Sequence, residues 1–471
     1  MRPDAVVVGS GPNGLAAAIA IAQTGRKVVV FEAEPTVGGG ARSGEVTRPG
    51  FIHDLCSAVH PFAAASPFFR TLPLAAHGLE WIEPPAMVAH PFDDTSCPVV
   101  YRSVRRTAAE LGADERAYLR LVGGTVDDWR RLESSVLAPL GLPKHPLALA
   151  RFSLLALQPA DRLAERRFSN PQARALFAGV AAHGMLPLDR RPTAAFGLVL
   201  LTMAHVAGWV IPRGGAQRLS DALAAYFLSL GGEIVTSTPV QSVDELPRAK
   251  AILCDLSPKP LLRVAGHLFP PRYRRELERY RYGMGAFKVD WALDAPIPWR
   301  SQACRQAGTV HLGGTLEEMG VSERAAWEGQ IAERPFVLLS QPTLFDPSRA
   351  PEGRHIAWAY CHVPHGSEVD MLSRIEQQIE RFAPGFRDCV IARSVRGPAG
   401  FERDNANLVG GDIGAGASDL GQLFTRPTWR TYSTPVRGLY LCSASTPPGV
   451  GVHGMCGFHA AQRALSEVLR D

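Results

Sequence analysis

Three glycines near the start of the chain have the spacing that lets a backbone meet a phosphate. Gly9, Gly11 and Gly14 stand as Gly-x-Gly-x-x-Gly, and Glu32 follows at the distance such units place an acid. Gly9 allows a tight turn, Gly11 clears the path of a pyrophosphate, and Gly14 lets a helix pack closely on a strand. The helix start, with Pro12 in it, presents unpaired N–H groups and the positive end of a dipole to the phosphates. Glu32 is placed to accept hydrogen bonds from ribose hydroxyls. This is the chemistry of dinucleotide binding.

The elements that must hold these residues are legible around them. Ala5 to Gly9 is an apolar run of the kind that forms a buried parallel strand, Leu15 to Thr24 reads as an alanine-rich helix ending at Gly25, and Lys27 to Phe31 reads as a second strand. Near the other end, Gly438 to Ser443 is another apolar run. It enters Thr446-Pro-Pro-Gly449-Val-Gly451-Val452-His453-Gly454. Gly457 to Leu469 then carries Ala460, Ala461, Leu465 and Leu469 on one helical stripe. A second helix start therefore faces a glycine turn, where its dipole would stabilise negative charge.

Two resemblances sharpen the reading. The block Glu32-Ala-Glu-Pro-Thr-Val-Gly38-Gly39-Gly40-Ala41-Arg42 resembles the extended fingerprint of FAD enzymes related to glutathione reductase and the amine oxidases. The resemblance implies that Gly39 and Gly40 pass close to the flavin and that Arg42 approaches the diphosphate. The C-terminal block, with Arg426-Pro427, Tyr432-Ser-Thr-Pro435 and Asn407 before Gly410-Gly411, resembles the phytoene-desaturase and carotenoid-isomerase-like flavoproteins. It implies backbone contacts to FAD from Gly449, Gly451 and Val452, with Ser443 beside them. Many relatives carry an acid where this chain has Ser443-Ala444, so that carboxylate contact is absent or comes from another residue. Pro212-Arg-Gly-Gly215 and Phe287-Lys288-Val289-Asp290 agree more loosely.

The fold expected is α/β: a Rossmann-type FAD domain in separated pieces, with an α+β substrate domain inserted. Residues 1–80, 206–260 and 401–471 are assigned to the FAD domain. Residues 81–205, mostly helical, and 261–400, sheet plus helices, are assigned to the substrate domain. Leu219 to Leu230 reads as a helix, with strands expected at Gly231 to Thr236, Pro239 to Val243 and Ala251 to Asp255. In glutathione-reductase-like folds a residue like Val240 meets the adenine through its backbone. Residues Leu137 to Ala160, rich in leucine, alanine and proline with Lys144, His145 and Arg151 between, fit packed helix core. The alternative is an amphipathic surface that docks on a membrane or lines a greasy entrance. An apolar substrate domain suits a lipid-like or polyene substrate.

For proton transfer the sequence offers His60, after Phe51 to Ala58, and His453 inside the C-terminal turn. Lys288 is expected to pair with Asp290 on a strand surface, the alternative being a place over the flavin. Cys361-His362-Val-Pro-His365 lacks a fourth ligand and makes a poor tetrahedral metal site. No second strand–glycine–helix unit stands for a nicotinamide, since Gly411 to Gly416 follows no convincing strand, so oxygen, a quinone or another acceptor would reoxidise the flavin.

A formal charge of +5 without a dense basic run excludes a nucleic-acid-binding tail. Eight cysteines without a Cys-x-x-Cys pair exclude a thioredoxin-like centre and a zinc ribbon. With no signal-peptide character and no apolar span of ~18 residues, the chain is expected in the cytoplasm, at most lying on a membrane. The leading expectation is hydride transfer from carbon to flavin N5, forming a double bond in an apolar substrate. Its rivals are a redox cis–trans isomerase of polyenes, an amine-oxidase-like enzyme and a flavin-bearing interaction protein. Oligomeric state is not legible.

Overall fold

Short valine- and leucine-rich runs, too apolar to face water on either side, build the sheet that the motifs flank. In the computed structural model, which describes residues 2–423 and 425–470, five strands run parallel. Their order is Leu439–Leu441, Ala251–Cys254, Ala5–Val8, Val28–Phe31 and Glu233–Val235. Helices Pro12–Ala22, Gln217–Ser229 and Met455–Glu467 cover one face, burying Val7, Val30 and Leu253. Pro258–Ala265 and Pro271–Glu278 cover the other, burying Val8, Cys254 and Leu441. Both faces are closed, as a parallel sheet requires.

The first and last helices touch through backbone. A Cβ on Gly457 would lie 1.8 Å from the Asn13 carbonyl oxygen, so only glycine permits the crossing. The contact fixes the C-terminal turn beside the N-terminal glycine loop.

One expected strand is absent. Residues 239–243 are irregular and lead into a short turn, Val243–Glu245. Proline at 239 brings no N–H to a ladder, and the Thr238 N–H instead donates to the Glu32 carbonyl at 2.8 Å. The segment therefore crosses the strand ends and carries Val240 over them.

A second sheet has seven strands in the order Val390–Arg396, Gly285–Leu293, His355–Val363, Val337–Ser340, Ala307–Leu312, Ala86–Ala89 and Val99–Val100. It is antiparallel except where Ala86–Ala89 meets Ala307–Leu312. Lys288 and Asp290 pair across one face of its longest buried strand, but inside the protein, at 2% and 3% side-chain exposure. That corrects the surface position expected for them. His53, on the segment that follows the second glycine cluster, lies over the pair with Nδ1 3.4 Å from Asp290 Oδ1.

Helices between residues 104 and 207 cap this sheet. Within them Pro146–Ala156 buries only Ala148 and Ala156. Leu142 is fully exposed and Leu147 is 79% exposed, whereas Leu137, Ala148, Ala156 and Ala160 are buried, so residues 137–160 join the core only at those positions. They form a surface whose inner side reaches the cavity described next.

Candidate active site

Every strand of the parallel sheet delivers its C-terminal end to one cavity of about 1280 Å³. Gly9, Glu32, Asp255 and Ser443 stand just past four of the strands, Val240 lies on the segment that follows the fifth, and all of them line the cavity. The strand order reverses between Ala5–Val8 and Ala251–Cys254, where ligands of open α/β sheets bind. A cavity for one drug-sized ligand measures roughly 300–1,000 Å³, so this one has room for a dinucleotide and a second molecule.

The structure brings the sequence-derived residues together. Gly9, Gly11, Pro12, Glu32, Gly39, Gly40, Arg42, Val240, Ser443, Gly451 and Val452 all line this cavity, as do His60 and His453. Gly14 and Gly449 do not line it. Gly14 lies beneath the loop, where a Cβ would come within 2.1 Å of the Gly9 carbonyl oxygen. Gly449, at φ +109°, stacks behind the Arg426 guanidinium.

The charged groups at the glycine end are already engaged. Glu32 accepts from the Ser10 N–H at 2.8 Å, from the Ser10 hydroxyl, and from the Glu34 N–H at 3.0 Å. Arg42 donates to the carbonyls of Gly39 and Asp404 at 2.9 and 2.8 Å and pairs with Glu34 at 3.1 Å. The guanidinium thereby ties the second glycine cluster to the C-terminal piece. Ser443 donates to the Leu256 carbonyl at 2.9 Å.

Asp255 carried no role in the sequence reading. Its Oδ2 accepts the Gly14 N–H at 3.0 Å, and burial, with Glu32 nearby, pushes its carboxyl up to about 7. The sequence signal was an apolar run ending in an acid, the same pattern as Phe31-Glu32. In the sequence Arg426 stands out only as part of the Arg426-Pro427 motif. It is buried, donates to the carbonyls of Gly414, Ala415 and Gly416, and lines the cavity. Asp412 accepts the N–H groups of Gly283, Gly414 and Gly416. The glycines at 411–416 thus wrap a buried carboxylate.

The two histidines differ. His60 is buried with no partner at either ring nitrogen, and burial holds its imidazole down to about 4. His453 accepts the Met455 N–H at Nδ1, 3.0 Å away, and so closes the first turn of the last helix. The opposite half of the cavity is lined by Met185, Phe196, Leu200, Trp209, Leu338, Trp358 and Tyr360. The four carboxylates on the wall, Glu32, Glu34, Asp255 and Asp404, all stand around the glycine loops.

The sequence matches the DAO family of FAD-dependent oxidoreductases over residues 4–463. The chain belongs to that family. It is 26% identical to mouse pyridine nucleotide-disulfide oxidoreductase domain-containing protein 2, over 97% of this chain and 92% of that one. It is 28% identical to a phytoene dehydrogenase of Streptomyces griseus, over 83% and 78%. The fold is that of an oxidoreductase from Methanosarcina mazei, with a TM-score of 0.67, 17% identity and coverage of 98% and 99%. The family's cofactor is FAD, and the site suits it. Its glycines leave a cradle that side chains would fill. Asn13 Oδ1, both nitrogens of His60 and Arg426 Nε are buried, unpartnered polar atoms of wall residues.

Proposed function

We propose that the protein holds FAD along the glycine-lined half of the cavity and oxidises a neutral, apolar, polyene- or isoprenoid-like molecule in the other half, leaving a new double bond. One observation carries the choice of substrate: the half away from the glycine loops is aromatic and aliphatic and bears no carboxylate. An ammonium substrate would be left without a counter-charge there. The stacked pair Trp358 and Tyr360, 6.3 Å apart, is the feature that best suits an amine oxidase, but it comes without the acid.

When bound, FAD supplies the two-electron acceptor. The chain's own residues do the rest. Gly9, Gly11, Pro12 and the buried Gly14 bring the start of the first helix to the diphosphate, with Arg42 beside it. Glu32 and Val240 hold the adenosine end. Gly39, Gly40, Ser443, Gly451 and Val452 shape the wall for the flavin, with Gly449 behind it and the last helix start directed at it. His60, neutral and unpartnered, is positioned to take a proton.

Leu140, Leu142, Leu147 and Leu154 are exposed around the rim, while Leu149, Phe152 and Leu157 of the same stretch line the cavity. Lys144 and Arg151 lie among them. This surface suits peripheral contact with an anionic membrane on the cytoplasmic side, through which an apolar substrate enters. Among the described residues no helix is long and apolar enough to cross a membrane. Oxygen or a quinone serves as the final acceptor.

Product analysis tests the reading. A polyene incubated with the FAD-loaded protein should lose two hydrogens by mass. An isomer of unchanged mass would replace oxidation by isomerisation, and turnover of amines alone would overturn the proposal.

A further inference from the structure

Three histidines stand in file behind the apolar half of the cavity. His183 lines the cavity on the turn Ala182–Gly184, and its Nε2 lies 3.1 Å from Nε2 of His311. The Nδ1 atoms of His311 and His90 are both buried without a partner. Both face Gly179, where a Cβ would sit 2.7 Å from the one and 3.2 Å from the other. Nε2 of His90 is 2.7 Å from the carbonyl oxygen of Gly314.

The file has a direction. A carbonyl only accepts, so His90 carries its hydrogen on Nε2 and a lone pair on Nδ1. Two lone pairs facing each other across the Gly179 gap would repel. The lower-energy arrangement therefore turns an N–H at Nδ1 of His311 towards the His90 lone pair, although the two atoms form no direct hydrogen bond. Its Nε2 is left as an acceptor, so His183 donates from Nε2 and keeps a lone pair on Nδ1. That nitrogen has no hydrogen-bond partner among the described residues.

We infer that the Gly314 carbonyl, acting through His90 and His311, makes His183 an acceptor-only contact that selects a substrate bearing a hydroxyl group. This deepens the apolar-substrate reading and rests on it: the molecule is a long hydrocarbon with one hydrogen-bond donor. Burial supports the neutral form that the argument needs, holding His183 down to about 3, with His362 adding to the effect. The ionisable groups around the file are His90, His311, His362 on Glu323 at 2.7 Å, and Glu318 beside Gly314. Tyr360 also lines the cavity, but a phenol hydroxyl can donate as well as accept and so does not discriminate.

Binding of a C20 isoprenoid alcohol and its methyl ether to the FAD-loaded protein, followed by tryptophan fluorescence, tests this without turnover. The alcohol should bind about tenfold more tightly, the worth of one net hydrogen bond. His183→Leu should abolish the preference. Gly179→Ala, which puts carbon between His311 and His90, should reduce it while flavin content stays unchanged. Equal binding of alcohol and ether, or a preference that survives His183→Leu, would overturn the inference. Nitrogen-15 NMR of labelled histidines decides independently of any ligand or oxidation: His183 Nδ1 should be unprotonated, and an Nδ1–H there would sink the proposal. Hydroxyl-selective binding without oxidation would leave this inference standing and remove the proposed function.

Discussion

The carboxylate of Asp255 accepts the backbone N–H of Gly14 at 3.0 Å, at the helix start proposed to meet the diphosphate. Burial, with Glu32 beside it, raises this carboxyl from 3.8 to about 7. A raised carboxylate is disfavoured when ionised, so the fold without FAD loses stability as pH rises from about 4 towards 7. A diphosphate adds negative charge, so binding takes up a proton. FAD affinity should weaken as pH rises through 7, by up to tenfold per unit at the limit of one proton. Asp255→Asn keeps an acceptor for Gly14 and should flatten the dependence. Titration of the apoprotein with FAD at pH 6, 7 and 8 checks this.

Gly11 and Gly14 should fail differently. At Gly14 a Cβ would lie 2.1 Å from the Gly9 carbonyl oxygen, which is backbone and cannot yield. Gly14→Ala should cost several kcal/mol, in the range of about 1–3 or more for an overpacked core, and give little folded protein. At Gly11 the clash is with Asp255 Oδ2 at 2.7 Å, the end of a side chain. Gly11→Ala should fold but retain much less flavin. Melting temperature and the flavin-to-protein absorbance ratio separate the two outcomes.

What was readable in the sequence follows from how far its parts lie apart along the chain. The loop Gly9 to Gly14 works through backbone shape, which neighbouring residues dictate, and Glu32 follows it by one strand. Asp255, Arg426 and the histidine file act across long loops. His183 and His311 are 128 residues apart, and nothing local to either predicts the other. The pairing of Lys288 with Asp290 was visible because alternate residues share a strand face. Their burial was not, because His53 is brought over them from another sheet. Residues 239–243 read as a strand on apolar content, and proline with the Glu32 carbonyl redirected them.

His60 and His453 should separate into a chemical and a structural role. His60→Ala should slow substrate-dependent flavin reduction by about 10²–10⁴, the range for a lost general base, with flavin content unchanged. Held down to about 4, the imidazole is neutral above that pH, so the wild-type rate should show no acidic limb from it between pH 6 and 8. His453→Ala instead removes the acceptor for the Met455 N–H. It should cost about 0.5–2 kcal/mol, as loss of a helix cap does. Stopped-flow reduction and urea unfolding distinguish the two.

The exposed leucines give a further prediction. Replacing Leu142, Leu147 and Leu154 together with serine should abolish co-sedimentation with vesicles containing anionic lipid. The melting temperature should stay close to that of the parent, because these side chains are largely in water.

Once loaded with FAD, the protein is expected to accept electrons from a neutral apolar substrate. Anaerobic mixing of the purified protein with a polyene, followed by its visible absorption, tests this most directly. Flavin absorption should bleach with the polyene and not with aliphatic amines. Absence of flavin after reconstitution with FAD, or bleaching by amines alone, would contradict it.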